Sequence, residues 1–362
     1  MTRREFVGAF AAGAVSSAPV ETADVFRAGD NGYNNFRIPA LLVTKKGTLL
    51  AFAEGRGARS DSGNIDLVLK RSADGGRTWS ALQVVADRGE DTIGNPCPVQ
   101  DRKTGRIFLP LTFNPGNVTE AQMIARQVEA RRTVFLTWSD DDGRTWVPLQ
   151  EITASVRKPR WTWYATGPGV GIQTRRGRIV IPCDHYAEGT AGSISHVFFS
   201  DDHGVTWQLG GDAPEGTNES QVVELRDGSL MLNMRSFRGK NRRGVSRSTD
   251  GGKTWGPVEW DATLIEPVCQ ASLIASGKLL YFSNPATLDK RERLTVRVLR
   301  DEGRTWSAGS VLHSGPAAYS CLAALKGKQL GCLYECGVTG PYERIVFARF
   351  SEASVASGVS LG

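Results

Sequence analysis

A single arginine stands inside an otherwise apolar stretch near the start of the chain. The segment NNFRIPALL, residues 34–42, places Arg37 among Phe36, Ile38, Pro39 and Leu41. Burying a guanidinium without a partner costs several kcal/mol, because an anion must replace the water that it loses. The pattern therefore predicts that Arg37 binds an anion, and that the surrounding fold holds it in place.

The overall charge favours a small anionic ligand over nucleic acid. The 362 residues carry a formal net charge of +6, and the basic residues are scattered along the chain. Proteins that bind a phosphate backbone usually concentrate Lys and Arg in a stripe or patch. A basic surface that serves only solubility is the other interpretation of this charge.

The cysteines and histidines indicate neither a disulfide framework nor a metal site. Six cysteines are too few and too scattered in a chain of this length for a disulfide framework, and we expect small buried apolar side chains. The close pair Cys332 and Cys336 does not have a common zinc spacing, and the chain has only four histidines. We therefore expect no metal and no other cofactor.

A short motif recurs along the chain. Four stretches satisfy Ser-x-Asp-x-Gly-x-Thr-Trp, namely SADGGRTW (72–79), SDDDGRTW (139–146), SDDHGVTW (200–207) and STDGGKTW (248–255). A fifth, LRDEGRTW (299–306), has Leu299 in place of Ser. Asp and Ser side chains can bind turn amides, Gly can take a positive φ, and Trp can anchor the next strand. The motif predicts hairpin turns and carries no chemistry.

The spacing of the motif predicts the fold. The tryptophans that end the five stretches lie 48 to 67 residues apart, and about fifty residues hold the four short strands of one propeller blade. Roughly 340 residues then give about six blades, so we expect an all-β, six-bladed β-propeller. The innermost strand of a blade is an edge that tolerates Pro39, and strand alternation would point Arg37 toward the channel mouth. Only residues 118–132 have helical spacing, and we expect a surface excursion without function there.

The FRIP tetrapeptide followed by repeated aspartate boxes resembles the sialidase (neuraminidase) family, over nearly all of residues 24–350. Sialidases remove terminal sialic acid, a sugar with a carboxylate on its anomeric carbon, and they use a Tyr nucleophile. The resemblance implies an exo-α-sialidase that acts with retention through a tyrosyl intermediate. Its expected partners are sialylated glycans, glycoproteins or glycolipids. We expect a monomer with no nucleic-acid partner and no membrane span.

The resemblance also implies three arginines around the substrate carboxylate. They match Arg37 in FRIP, Arg235 in LNMRS and Arg291 in NPATLDKRERLTVRV. A guanidinium suits this role because its fixed fork of donors fits a planar carboxylate and it does not lose its charge. Arg293, two residues after Arg291, is the alternative for the third position. Arg56 resembles a further substrate-binding arginine, with a solvated surface charge as its other interpretation.

Three further positions match the catalytic residues of the family. Asp61 in AEGRGARSDSGNIDLV resembles the general acid and base, Tyr319 in GPAAYSCLAAL the nucleophile, and Glu219 in TNESQVVEL the base beside it. A neutral phenol avoids the repulsion that a carboxylate nucleophile would meet from the substrate's own carboxylate. It needs a base because its ordinary pKa is about 10. Asp66 and Glu224 are the alternatives, and we expect structural roles for both.

Glu335 in GCLYECG resembles the acidic residue that orients the first arginine. Residues 161–173 and 181–189 look like the rim of the family's pocket, with Tyr186 as a contact for the glycerol side chain. Their aromatic residues could equally serve packing, so we leave them out of the expected site.

Two other functions are compatible with these motifs. A propeller that binds sialoglycans without catalysis would keep the arginines but lose the catalytic residues. A trans-sialidase, or a hydrolase of the deaminated sugar, would keep both. The fifth box, which lacks Ser, is expected to cost turn stability alone.

The first residues, MTRREFVGAFAAGAVSSAP, resemble a twin-arginine export signal. Arg3 and Arg4 precede a weakly hydrophobic stretch that is too short to span a membrane. We expect residues 1–23 to direct export to the periplasm or the extracellular space, and residues 24–362 to form one sialidase catalytic domain. A disordered or locally helical tail is the other interpretation of this segment.

Overall fold

The computed structural model describes residues 20–300, 305–358 and 360–361, which are mostly β-strand. Arg3, Arg4 and the Asp301 and Gly303 positions of the fifth box lie outside the described residues. The helices of the described part are short: a 3-10 turn at Asp30–Gly32, α1 (Glu120–Ile124), α2 (Thr153–Val156) and α3 (Glu352–Ser357). None of these helices has the length and hydropathy that crossing a bilayer requires.

Antiparallel hairpins fill the first part of the described chain. Its strands are β1 (Glu21–Arg27), β2 (Asn35–Val43), β3 (Leu49–Arg56), β4 (Ile65–Ser72), β5 (Gln83–Ala86), β6 (Thr92–Gly94), β7 (Val99–Gln100), β8 (Ile107–Asn114), β9 (Thr133–Ser139) and β10 (Gln150–Glu151). Strands β2 to β5 pair in chain order, and β8 pairs with β6, β7 and β9.

The same up-and-down pairing continues to the end. The strands are β11 (Trp161–Thr166), β12 (Ile172–Gln173), β13 (Ile179–Ala187), β14 (Ile194–Ser200), β15 (Gln208–Asp212), β16 (Thr217–Glu224), β17 (Leu230–Ser236), β18 (Arg242–Ser248), β19 (Glu259–Ile265), β20 (Ser272–Ser276), β21 (Leu279–Pro285), β22 (Glu292–Leu299), β23 (Ser310–Leu325), β24 (Gln329–Cys336) and β25 (Arg344–Ser351). Strand β1 pairs with β25, so the two ends of the described chain meet in one sheet.

This order of strands confirms the predicted all-β propeller class. Strand β23 pairs with β22 through its first part and with β24 through its second part, and β4 also pairs with β6. Neighbouring groups of strands are therefore joined, and the pairing yields sheets of seven, nine, five and four strands. The count of six blades stays a prediction.

The aspartate boxes form the turns that the sequence predicts. In the first box, the amide of Gly76 donates to Ser72 Oγ at 2.9 Å and the amide of Thr78 donates to Asp74 Oδ1 at 3.0 Å. Gly76 has φ 93°, a conformation that favours glycine. Corresponding bonds are made by the Ser and Asp of the three other complete boxes, at residues 139–145, 200–206 and 248–254.

The box tryptophans pack one group of strands against the next. The pairs, with the distances between ring centroids, are Trp146 and Phe52 at 5.7 Å, Trp207 and Phe108 at 5.6 Å, and Trp79 and Phe347 at 5.5 Å. Phe52 lies in β3 and Phe108 in β8, so in the first two pairs the tryptophan contacts the set of paired strands that comes before its own in the chain. Phe347 lies in β25, so Trp79 contacts the last set of strands. The groups therefore follow one another around a closed ring.

Arg37 lies on an inner edge, as predicted. Strand β2 stands at the end of its sheet, and its register with β3 shifts between Arg37 and Ala40. Ile38 in this bulge has φ 58°, and Pro39 follows where no ladder donor is needed. The bulge turns Arg37 into the central cavity described below.

The predicted helix at residues 118–132 is only partly present. It is limited to α1, which begins with a capping box between Thr119 and Gln122 and ends before Arg126, whose φ is 58°. No function was attached to this segment, and the structure places two of its residues, Glu120 and Arg132, in the lining of the central cavity. A pattern of apolar spacing could not reveal this.

The cysteines have the predicted character. All six are free and buried. Burial raises the pKa of the Cys321 thiol to about 12, which is the behaviour of a packed thiol rather than of a reactive one.

Candidate active site

A cavity of about 230 Å³ at the centre of the ring collects the residues that the sequence analysis selected. Its lining includes seven of the eight expected site residues, namely Arg37, Arg56, Asp61, Glu219, Arg235, Arg291 and Tyr319. The eighth, Glu335, is fully buried directly behind the wall. Strands far apart in the chain contribute these side chains, as the closed ring of hairpins requires.

Three arginines converge on one end of the cavity, and their charges are only partly neutralised. Arg37 Nε donates to Glu335 Oε1 at 2.8 Å, and Arg235 Nη1 donates to Glu219 Oε2 at 2.6 Å. Arg291 Nη1 donates to the hydroxyl of Tyr342 at 2.8 Å. Among the described residues, Arg291 has no carboxylate oxygen within 4.0 Å. This end of the cavity, the arginine end, is suited to an anionic group.

Glu335 fixes both the first arginine and the tyrosine strand. Besides Arg37, its Oε1 accepts the amide of Ile38 at 2.9 Å, and its Oε2 accepts the amide of Tyr319 at 3.1 Å. A fully buried carboxylate needs such partners, because its desolvation is otherwise uncompensated. One side chain of β24 therefore sets the relative positions of β2 and β23 at the site.

Tyr319 and Glu219 form a short hydrogen bond at the floor of the arginine end. The tyrosine hydroxyl donates to Glu219 Oε1 at 2.5 Å, and Arg235 Nη1 lies 3.1 Å from the same hydroxyl oxygen. Burial raises the pKa of Tyr319 well above its ordinary value, Glu219 raises it further, and Arg235 and Arg291 lower it. The phenol is therefore neutral in the free protein, with a carboxylate in place to take its proton.

Asp61 lies at the mouth of the cavity, where 77% of its side chain is exposed. Its Oδ1 accepts from Arg56 Nη1 at 2.6 Å and lies 4.0 Å from Arg37 Nη1. Partial loss of water around the carboxyl group raises the pKa of Asp61, but the positive charges of Arg56 and Arg37 lower it more. The resulting pKa lies below its ordinary value. Arg56 is itself held by Glu54 Oε2, 2.9 Å from Arg56 Nε.

The residues that the sequence left as alternatives, Asp66, Glu224 and Arg293, lie outside the central cavity. Asp66 accepts from the Tyr33 hydroxyl at 2.7 Å, and Glu224 accepts from the amide of Arg175 at 2.8 Å. Arg293 is exposed, with φ 60°. None of the three lines the central cavity, which agrees with the structural roles expected for Asp66 and Glu224.

Several lining residues were missed by the sequence analysis. Most of them lie in residues 92–218, and the polar ones are Glu54, Thr92, Asn95, Glu120, Arg132, Asp184 and Asn218. Asp184 interrupts the apolar run IVIPCDHY, which is the same signal that revealed Arg37 and could have revealed it. Tyr186, named as a contact for the glycerol side chain, is outside this lining and packs in a cluster with Met123 and Trp163.

The arrangement has the parts needed for nucleophilic substitution at a carbon that bears a carboxylate. The arginine end can bind the carboxylate, Tyr319 with Glu219 can attack, and Asp61 at the mouth can exchange a proton with solvent or a leaving group. Within residues 20–300, 305–358 and 360–361, no three His, Cys, Asp or Glu side chains are grouped so that they could hold a metal ion.

Comparisons with known proteins show the family to which the chain is related. A protein family described as "BNR repeat-like domain" matches residues 47–332. A sialidase of Micromonospora viridifaciens is 35% identical over 91% of this chain and 55% of its own length, and human sialidase-3 is 32% identical over 92% of this chain and 93% of its own. The chain thus spans about half the length of the first of these relatives and nearly all of the second.

Solved structures share the fold. The Hadza microbial sialidase Hz136 superposes with a TM-score of 0.84 at 32% identity, over 92% of this chain and 69% of that one. A leech intramolecular trans-sialidase superposes with a TM-score of 0.80 at 19% identity, over 93% of this chain and 71% of that one, which shows the fold alone. The family match and the relatives over most of the chain lead to one conclusion: the chain belongs to the sialidase family of glycoside hydrolases.

Proposed function

We propose that the protein is a retaining exo-α-sialidase that hydrolyses terminal sialic acid from glycans, glycoproteins or glycolipids. The observation that carries the proposal is the 2.5 Å hydrogen bond from the Tyr319 hydroxyl to Glu219, next to three arginines that face one cavity. A carboxylate on the carbon under attack explains both features, since it needs cationic partners and repels an anionic nucleophile.

The first half of the reaction forms a covalent intermediate. The arginine end binds the substrate carboxylate through Arg37, Arg235 and Arg291. Tyr319 Oη bonds to the anomeric carbon as its proton passes to Glu219 Oε1, and the bond from that carbon to the leaving oxygen breaks. Asp61 supplies the proton that the leaving oxygen gains.

The second half returns the enzyme to its starting state. Asp61 takes a proton from water, the water oxygen bonds to the anomeric carbon, and the bond to Tyr319 Oη breaks. Tyr319 regains its proton from Glu219. Two inversions at the same carbon give net retention.

Asp61 must change its environment for this cycle, because Arg56 keeps it ionised in the free protein. A substrate that brings its leaving oxygen to Asp61 and excludes water raises the pKa of the carboxyl group. Proton donation by Asp61 is therefore expected to follow substrate binding.

The proposal is tested by proton NMR of a sialoside during hydrolysis. The enzyme should release the α anomer of the free sugar first, with slow conversion to the β anomer. First appearance of the β anomer would contradict retention, and binding without hydrolysis would indicate a non-catalytic sialoglycan-binding propeller. A product that is a new sialoside or an anhydro sugar would indicate transfer.

We also propose that residues 1–23 direct export, which rests on the pattern around Arg3 and Arg4. Changing both arginines to Lys should keep the protein inside the producing cell. An unchanged compartment would contradict the twin-arginine interpretation.

A further inference from the structure

One tyrosine outside the lining of the central cavity contacts two of the three arginines at the arginine end. Arg37 lies over the ring of Tyr342, with 4.1 Å from Cζ to the ring centroid. The Tyr342 hydroxyl accepts from Arg291 Nη1 at 2.8 Å. Tyr342 belongs to the loop of residues 337–343, between β24 and β25. A single side chain therefore restrains two guanidinium groups that come from distant parts of the chain.

Arg291 is held by neutral acceptors. Besides the Tyr342 hydroxyl, the carbonyl oxygen of Val268 accepts from Arg291 Nη2 at 3.3 Å. Among the residues that the structure describes, no carboxylate oxygen lies within 4.0 Å of this guanidinium. A carboxylate in place of the phenol would cancel much of the charge of Arg291. The phenol orients the guanidinium and leaves its charge for a ligand.

Arg37 is restrained at one edge and on one face. Glu335 binds its Nε, and the ring of Tyr342 attracts the cation without carrying a charge of its own. Within the described part of the chain, neither Nη1 nor Nη2 of Arg37 donates a hydrogen bond, and Nη1 lies 4.0 Å from Asp61 Oδ1. The edge of the guanidinium that carries these two atoms is therefore left for an anion.

The loop that carries Tyr342 is held in one compact shape. The carboxylate of Glu343 accepts hydrogen bonds at 2.7 to 3.0 Å from three loop amides, those of Val338, Thr339 and Gly340. A Cβ added at Gly337 would lie 2.1 Å from the carbonyl oxygen of Gly340, because the backbone folds closely on itself. Tyr342 also packs against a buried cluster, which consists of Ile38, Cys269, Ala318 and Tyr319. The fold itself therefore sets the position of the phenol.

We propose that Tyr342 is a positioning residue for carboxylate recognition, which acts through Arg37 and Arg291 and not through contact with the sugar. Its ring and its hydroxyl hold the two guanidinium groups in the orientation that a planar carboxylate needs, and they do so without an opposing charge. Loss of these contacts weakens recognition of the negative charge of the ligand and leaves the rest of the sugar bound as before. This inference rests on the proposed function and deepens it.

The test measures the Kd of a ring-unsaturated analogue of sialic acid, as the free acid and as its methyl ester, by calorimetric titration. The ratio of the two Kd values, ester over acid, reports how strongly the negative charge is recognised. Tyr342→Phe keeps the ring and removes the hydroxyl, and Tyr342→Leu removes both. The matched control is Tyr33→Phe, which removes a hydroxyl that donates to Asp66 outside the cavity. An unfolded fraction changes the stoichiometry of a titration and not the Kd.

The expected result is a fall of about threefold to tenfold in the ratio of Kd values for Tyr342→Phe, a larger fall for Tyr342→Leu and no change for Tyr33→Phe. The Kd of the ester should change little in any variant. In steady-state hydrolysis of a sialoside, Tyr342→Phe should raise KM and leave kcat nearly unchanged. The reason is that the arginine end holds the carboxylate in the bound substrate and in the transition state alike.

The inference and the proposed function fail in different ways. An unchanged ratio in both Tyr342 variants, or an equal loss of affinity for acid and ester, would show that Tyr342 only supports its loop. Either result would overturn the inference while the sialidase activity stands. A wild type that prefers the acid but cleaves no sialoside would overturn the proposed hydrolysis and not the inference. A wild type that binds neither analogue would overturn both.

Discussion

The hydroxyl of Tyr319 and the carboxylate of Glu219 lie 2.5 Å apart, although 100 residues separate them in the chain. The bond joins β16 to β23 at the floor of the arginine end, and Arg235 contacts both partners. The phenol is thereby kept neutral beside its proton acceptor. Tyr319 can react only when an electrophilic carbon lies next to its hydroxyl. In the proposed reaction the arginine end positions that carbon by binding the carboxylate attached to it.

Glu335 is expected to matter for binding as well as for stability. Replacing it with Gln leaves Arg37 buried without its carboxylate, so the free energy of unfolding should fall by about 3 kcal/mol. The KM for a sialoside should rise, because Arg37 loses its fixed orientation. Urea titration and steady-state kinetics measure the two effects.

The matched control is Glu266→Gln, which breaks the fully buried ion pair with Arg243 outside the cavity. It should lower stability by a similar amount and leave the KM nearly unchanged. An equal rise in KM for both variants would mean that the effect at Glu335 is only a loss of stability.

Arg56 is expected to set the pH dependence of the reaction. Because Arg56 and Arg37 lower the pKa of Asp61, the protonated acid of the free enzyme is lost at a lower pH than for an ordinary Asp. The value of kcat/KM reports the free enzyme and should fall as the pH rises through this pKa. Arg56→Gln should raise the pKa of Asp61 and move the fall to higher pH, besides lowering kcat/KM at all pH values. An unmoved profile would exclude Asp61 as the group that titrates.

A buried histidine pair is expected to limit stability in acid. His185 and His196 lie with their Nδ1 atoms 3.0 Å apart, under the ring of Trp161. Burial, with a smaller effect of Lys158, lowers the pKa of His185 to about 3, and burial also lowers that of His196. The unfolded chain takes up protons near pH 6.5, so this stability is complete above that pH and is lost as the pH falls toward 3.

The free energy of unfolding should fall with decreasing pH at a slope that can be measured. Each histidine contributes up to about 1.4 kcal/mol per pH unit to the fall in the free energy of unfolding. His185→Gln should remove about half of the pair's contribution to the slope. The measurement is urea titration at a series of pH values from about 7 to about 4, the range in which the histidines of the unfolded chain take up protons. Identical slopes in the wild type and in His185→Gln would show that the pair does not titrate on unfolding.

The aspartate boxes are expected to act on stability alone. Asp141 accepts hydrogen bonds from the amides of Arg144 and Thr145 and from the Thr145 hydroxyl. Asp141→Ala should lower the free energy of unfolding by about 1 to 2 kcal/mol without changing KM. The neighbouring Asp140, which makes a surface ion pair with Arg106, should cost less than about 1 kcal/mol when changed to Ala. A change in KM for Asp141→Ala would assign the box a role at the site.

The sequence was informative where one residue type has one physical use. A repeated Ser-x-Asp-x-Gly-x-Thr-Trp can satisfy a turn in few ways, so the hairpins and the propeller class followed from it. Arg37 stood out because a charge in an apolar edge strand needs a partner. Glu335, the partner, was found only through the family resemblance, since strand spacing does not tell which distant strand will lie alongside.

The wall that holds Arg132 and Asp184 was not predicted. Arg132 follows a segment whose apolar spacing indicated a longer helix, and the chain instead leaves the helix after α1 and turns into the cavity. That turn depends on tertiary contacts such as the packing of Met123 with Trp163. Local propensity does not encode these contacts, so this wall of the cavity could be identified only from the structure.

The central claim is that Tyr319 becomes covalently bonded to the sugar, and trapping tests it most directly. A 2,3-difluoro sialic acid reacts once with such an enzyme and then leaves slowly, because fluorine at C3 destabilises the oxocarbenium-like transition state. Peptide mass spectrometry should find one fluorosialyl group on the peptide that contains Tyr319. The variant Tyr319→Phe should carry none and should not turn over sialosides, while it still binds free sialic acid; Tyr281→Phe, outside the cavity, should behave like the wild type. A label on another residue, or wild-type turnover by Tyr319→Phe, would contradict the account.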